Sequence, residues 1–153
     1  MQKWIATGMM ALTGLLFFGA FVFQDIRLHP ELGTNELPLG LIFRYAVAMT
    51  LGGAIAGFLL RGLFGRGGIG GWLLVTIGGL VACLISGLFG SAVGLLPDLL
   101  ADGYHTADLV KAGLGIFVVP LSIIEQPVLL PVLIALIVTT HLLCKRARNT
   151  SST

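Results

Sequence analysis

The chain has 153 residues, of which 56% are hydrophobic and 10% charged, with a formal net charge of +2 and a mean hydropathy of +1.00. Soluble domains are typically about 25% charged, so a water-facing globule is excluded. So small a net charge leaves nucleic acid out of the expected partners, and the expected surroundings are a lipid bilayer.

A helix that crosses a bilayer needs about 20 mostly apolar residues. The first such run is residues 4–23, behind Lys3 and Trp4. It is long and no small-residue cleavage site follows, so it reads as a retained helix and not as a signal peptide. Its bulky residues, Leu15, Leu16, Phe17, Phe18, Phe21 and Phe23, are expected to face lipid over much of its surface. The second run, residues 41–60, carries Ala48, Gly52 and Ala56 in one helical row and Gly53 and Gly57 in the next. A short connection rich in glycine, with Arg61 and Arg66, permits a tight reversal into the third run, residues 71–96.

That third run has small residues at every fourth position: Gly78, Ala82, Ser86, Gly90 and Gly94. A second ladder beside it contains Gly79, Cys83, Gly87 and Ser91. In water each interior glycine would cost about 0.5–1 kcal/mol relative to alanine. In lipid the same residues make a packing face, because backbones approach closely only where side chains are absent. The expected nucleus is therefore an antiparallel glycine-zipper hairpin of the second and third helices. Whether that face pairs within one chain or between copies is open in the sequence. A homo-oligomer or a larger membrane complex is accordingly the expected protein partner.

The last apolar region, residues 113–144, is too long for one upright helix and contains Pro120, Pro127 and Pro131. The expected form is a re-entrant or interfacial segment, 113–124, broken at Pro120, followed by a fourth span at 125–143 that Pro127 starts. The alternative is one long kinked helix over residues 114–143. The fold class expected is thus an all-α membrane protein of four transmembrane helices in a single integral domain. Lys3, then Arg61 and Arg66, then Lys145, Arg146 and Arg148 occupy alternate loops and ends. In short loops such residues mark the cytoplasmic side, so both termini are expected inside, in a multi-pass inner-membrane topology. Trp4 and Trp72 would sit at the cytoplasmic interface.

From Gly52 to Gly94 the run GGAIAGFLLRGLFGRGGIGGWLLVTIGGLVACLISGLFGSAVG resembles the transglycosylase-associated family of small, glycine-rich bacterial membrane proteins. The likeness lies in paired glycine-rich helices joined by an Arg/Gly turn. The chain departs from the family in its N-terminal span, its long loop before the second span and its proline-rich final region. The resemblance implies a non-enzymatic membrane component of bacterial origin and carries no catalytic residues with it.

Candidate chemistry is sparse. Arg44 lies a few residues into the second span, at a depth similar to Glu125. A charge within a membrane helix is costly unless paired, so Arg44 is expected either to pair with Glu125 or Glu36 or to snorkel to the headgroups. Asp98, Asp102 and His105 have offsets that share one helical face, but Gly103 interrupts them and no further ligand completes a site, so a solvated loop and no metal are expected. Cys83 and Cys144 fall at different depths and are read as packing residues. His29 and His141 are lone histidines of interfacial type. There is no phosphate-binding loop, no H-E-x-x-H and no G-x-S-x-G, and no cofactor is expected. The function these features imply is a non-enzymatic accessory or structural subunit associating through its small-residue faces. The alternatives are a small channel or transporter using residues 113–131, with few polar residues at mid-depth (Thr50, Thr76, Ser86), and a membrane enzyme acting on lipid or envelope substrates.

Overall fold

The computed structural model describes residues 2–28, 39–103 and 105–150, and all regular structure among them is helical. In chain order the helices are α1 (Gln2–Leu28), α2 (Leu39–Leu59), α3 (Gly68–Gly94), α4 (Leu96–Asp102), α5 (Thr106–Leu114), α6 (Val118–Glu125) and α7 (Leu129–Thr150). Tight 3-10 turns, Leu60–Leu63 and Gly115–Phe117, follow α2 and join α5 to α6. Five runs are long and apolar enough to cross a membrane: Gln2–Leu28, Leu39–Leu63, Gly68–Ala101, Thr106–Glu125 and Leu129–Thr150.

The sequence leads one to expect four such runs; the addition is Thr106–Glu125. Residues 113–124 are too short alone, and the extra length is α5. It starts where the Asp108 carboxylate accepts the His105 backbone N–H at 3.2 Å, relieving one of the N-terminal donors that a helix leaves unpaired. The run is nonetheless broken, and the break falls earlier than expected. It lies at Gly115–Phe117, not at Pro120, which occupies the first turn of α6. Pro131 likewise stands in the first turn of α7. Proline is tolerated there because the first-turn N–H groups have no intrahelical acceptor to lose. Pro127 sits in the turn between α6 and α7, where the Leu129 N–H reaches the Gln126 carbonyl at 2.9 Å.

The register of α1, α2 and α3 is fixed by close backbone approach. A Cβ added at Gly57, Gly53 or Gly14 would come under 3.0 Å from the carbonyl oxygen of Ala6, Met10 or Met49, respectively. These pairs run in opposite directions along the two helices, so α1 and α2 are antiparallel. Phe18 stacks on Tyr45 one turn further along, with ring centroids 6.4 Å apart. On the other side of α2, Gly52 meets Ser86 and Phe89, while Met49 and Tyr45 fill the space left at Gly90 and Gly94. Helices α2 and α3 are therefore also antiparallel, and α1 and α3 run parallel. Reversal from α2 to α3 uses Gly65 and Gly68, both with positive φ (72° and 75°), which residues bearing a Cβ rarely adopt.

Helix α7 packs back along α1. Near its end the Arg148 Nε donates to Gln2 Oε1 at 3.1 Å, and Gln2 Nε2 donates to the carbonyls of Arg61 and Phe64, each at 3.0 Å. Lys3, Arg61, Arg66, Lys145 and Arg148 thus gather at one end of the bundle, which we call the basic end. Leu15, Leu16, Phe21 and Phe23 face outward as expected, but Phe17 and Phe18 are buried.

Replacing Gly53 by Ala forces the added methyl against the Met10 carbonyl and should destabilise the protein by about 1–3 kcal/mol in reversible unfolding in mixed micelles. Gly19→Ala, where nothing lies within 4 Å, should leave the transition unchanged or slightly raised.

Candidate functional site

The eight small residues singled out in the sequence do not form a single hairpin face. Gly52 packs on α3, but Gly53 and Gly57 pack on α1, so the two rows of α2 serve two different neighbours. This corrects the expectation that α2 offers both rows to α3. The reason is rotational: residues one apart on a helix point about 100° apart, so adjacent rows cannot both face one neighbour. The first ladder of α3 faces α2 and its following turn. Gly78 meets Leu63, Ala82 is buried, Ser86 Oγ donates to the Met49 carbonyl at 2.7 Å, and Gly90 and Gly94 receive Met49 and Tyr45.

The second ladder of α3 faces the C-terminal third of the chain. A Cβ at Gly79 would meet the Ile137 side chain at 2.7 Å, and Gly87 lies against the Gly115 carbonyl. Ser91 Oγ donates to the Lys111 carbonyl at 2.9 Å. Moving from Lys111 to Gly115 to Val119 therefore descends α3 from Ser91 past Gly87 to the level of Cys83. From Val119 the chain turns back. Gln126 Nε2 donates to the Ala20 carbonyl at 3.2 Å and to Gln24 Oε1, and Gln24 Nε2 donates to Glu125 Oε2 at 2.9 Å. Ala20 and Gln24 lie toward the end of α1 that is remote from the basic end. Both ends of the segment 111–126 thus stand at the same end of the bundle, with Val119, just past the Gly115–Phe117 turn, at its deepest part.

Where this hairpin tip meets α1 and α3, the space between Met10, Thr13, Gly14, Ala82, Cys83, Ser86 and Val119 leaves no room for a water molecule. The polar side chains that might have lined a path turn to backbone carbonyls one helical turn back or across an interface. Thr50 Oγ1 donates to Ala46 at 2.6 Å, Thr76 Oγ1 to Trp72 at 3.0 Å, and Ser86 to Met49. Thr13 and Ser122 do the same, to Met9 at 2.8 Å and Val118 at 2.7 Å. Among the described residues no buried side-chain nitrogen or oxygen lacks a partner.

Arg44 and Glu125 are not brought together. Glu125 is held by Gln24, whereas Arg44 faces outward from α2 beside Phe43 and Val47. The two helices are separated by α1, which lies against both α2 and α6. Among the described residues Arg44 has no ion-pair partner; the other partner expected for it, Glu36, lies outside them, as does His29. Elsewhere an ion pair joins Lys111 Nζ to Asp108 Oδ1 at 3.1 Å. His105 stands at the N-cap of α5, and the side chains of Asp98 and Asp102, the other two residues of that spacing, lie outside the described set.

Several residues that matter to this arrangement carry no signal in the sequence. Gln2 bridges α1, the turn after α2 and α7. His141 is 2% exposed, stacks on Trp72 at 4.5 Å between centroids, and accepts the Gly65 N–H at Nδ1 at 3.4 Å. It is thus a buried packing residue of the basic end, set against Trp72. Gln24 and Gln126 could have been suspected only as amides flanking an apolar run. Cys83 and Cys144 are both free and buried.

Gly87→Leu should push the 106–125 segment off α3, because the Gly115 backbone cannot retreat without losing the Ser91–Lys111 bond. Limited proteolysis after residue 105 should then accelerate, whereas Gly113→Leu, with nothing within 4 Å, should leave the pattern unchanged. Compared with family models, curated proteins and solved structures, the chain matches none.

Proposed function

We propose that this chain is a four-span protein of a bacterial inner membrane, acting as a non-enzymatic structural or accessory subunit. On this reading α1, α2, α3 and α7 cross the bilayer, both termini are cytoplasmic, and 106–125 is re-entrant from the outer face. The gathering of Lys3, Arg61, Arg66, Lys145 and Arg148 at one end supports the orientation, since Lys and Arg in short loops stay on the cytoplasmic side. The return of Gln126 to the same end as Lys111 supports re-entrance. Backbone that departs from the α-helix at membrane depth, such as the 3-10 turn at Gly115, is tolerated where protein covers it, as α3 does here.

The single observation that carries the structural role is that both small-residue ladders of α3 are filled by the same chain. A rod packed on two sides by backbone-level contacts is a stiff insert, and its faces are spent on internal cohesion. Association with copies or with a larger complex then uses the outward side chains of α3, such as Leu73 and Ile77.

Two measurements test the reading. A single cysteine at Val128, in a chain lacking Cys83 and Cys144, should react with an impermeant thiol reagent from outside, and one at Asn149 only after permeabilisation. Five crossings would invert both results. Photo-crosslinkers at Leu73 and Ile77 should capture protein in native membranes, while one at Gly90 should give none between chains. Adducts to lipid alone from the outward positions would count against an associating subunit.

A second reading, a small channel or transporter, draws on the Glu125–Gln126–Gln24 cluster at the mouth of the broken segment. It requires the tip at Val119 to move, because the space between Val119, α1 and α3 has no room for a water molecule. Flux into liposomes that is abolished by Glu125→Gln would favour it.

A further inference from the structure

One outward feature is not accounted for by cohesion of the bundle. Between α2 and α3 an open groove of about 430 Å³ is walled by Phe43, Val47, Leu51 and Ile55 of α2 and by Phe89 and Val93 of α3. Arg44 stands at one end of it and is the one charged residue of its lining. Among the described residues the guanidinium has no hydrogen-bond or ion-pair partner, although it lies more than a turn inside the start of α2 at Leu39. A charge placed within an apolar helix is retained at a cost unless an anion or the interface meets it.

We propose that this groove is a binding site for one anionic phospholipid, with the phosphate on Arg44 and an acyl chain along α2. The occupant has to supply a negative group at one end, and a planar guanidinium suits a phosphate, which it can contact through two parallel N–H bonds. It also has to supply an apolar length: Arg44 to Ile55 spans about 16 Å of helix, the reach of a lipid tail within one leaflet. A partner helix about 10 Å across occupies about 1,250 Å³ over the same length, about three times the volume of the groove. Within that length the lining includes the small Ala48. The site stands on the α2–α3 packing alone and is independent of the orientation and role proposed above.

The test uses the full chain, stripped of lipid by detergent and returned to micelles holding equal phosphatidylglycerol and phosphatidylcholine, with retained lipid counted by native mass spectrometry. The wild type should retain one phosphatidylglycerol in preference to phosphatidylcholine. Arg44→Gln should lower that retention about tenfold and erase the headgroup preference, as expected for loss of a charge-assisted hydrogen-bond pair. Arg44→Lys should keep an intermediate preference, and Arg146→Gln, at the basic end, should change nothing. Leu51→Trp, which fills the groove and leaves Arg44 in place, should lose the lipid. Both altered side chains point outward, so folding is retained and is checked by monodispersity. A photo-crosslinker at Val47 in native membranes supplies a measurement free of variants at the charge, and its adduct should be a phospholipid. Equal retention by wild type and Arg44→Gln, displacement of the lipid by inorganic phosphate alone, or a protein adduct at Val47 would each overturn the proposal.

Discussion

Direct contact of one helix backbone with the next is the constraint on which the rest of this molecule depends. At Gly14, Gly53, Gly57 and Gly87 the neighbouring carbonyl oxygen occupies the volume that a Cβ would need. Lipid tails are as apolar as leucine, so no hydrophobic force separates helix from surroundings, and dispersion at short range takes its place. That explains why the most intimate contacts lie where side chains are smallest, while large apolar residues such as Phe43, Leu73 and Ile77 point outward. The arrangement inverts the pattern of a water-soluble core.

From this constraint the positions of the other elements follow. Helix α2 lies between α1 and α3 because it has two small-residue rows about 100° apart. Helix α3 also has two, so it joins α2 on one side and the segment beginning at α5 on the other. Apart from His141 and Asp108, the buried polar side chains among the described residues are short hydroxyls. Each bonds a carbonyl of its own helix or, for Ser86, the Met49 carbonyl across the interface. A buried hydroxyl without a partner would cost free energy in so apolar an interior, and this accounts for their uniform orientation.

Much of this was legible in the sequence, and the reasons separate cleanly. Hydrophobic run length located the long helices, and small residues at spacing four marked the packing rows of α2 and α3. What spacing does not carry is the identity of the neighbour. Gly53 and Gly57 look like partners for α3 until one sees Met10 and Ala6 lying against them. Gly14 has no companion at spacing four and gave no sign of its approach to Met49. The break before α6 was assigned to Pro120 because proline is the strongest local breaker, yet a proline in a first turn breaks nothing; the glycine at 115 yields instead, under contact with Gly87 and Ser91. Equal depth makes an Arg44–Glu125 pair one of two readings of Arg44, and depth says nothing of azimuth around the bundle. Long polar bridges such as Gln2 to Arg148 join residues 146 positions apart, which no local pattern encodes.

The link between α1 and the start of α7 has a property of its own. Gln24 and Gln126 are amides, each able to donate and to accept, and they close on one another and on the Ala20 carbonyl. Neither takes up or releases a proton in the physiological range, and hydrogen bonds between neutral groups are little weakened by salt. This fastening is therefore indifferent to acidity and ionic strength on its side of the bilayer. Glu125 adds one charged acceptor, for Gln24 Nε2, beside contacts that are all between neutral groups.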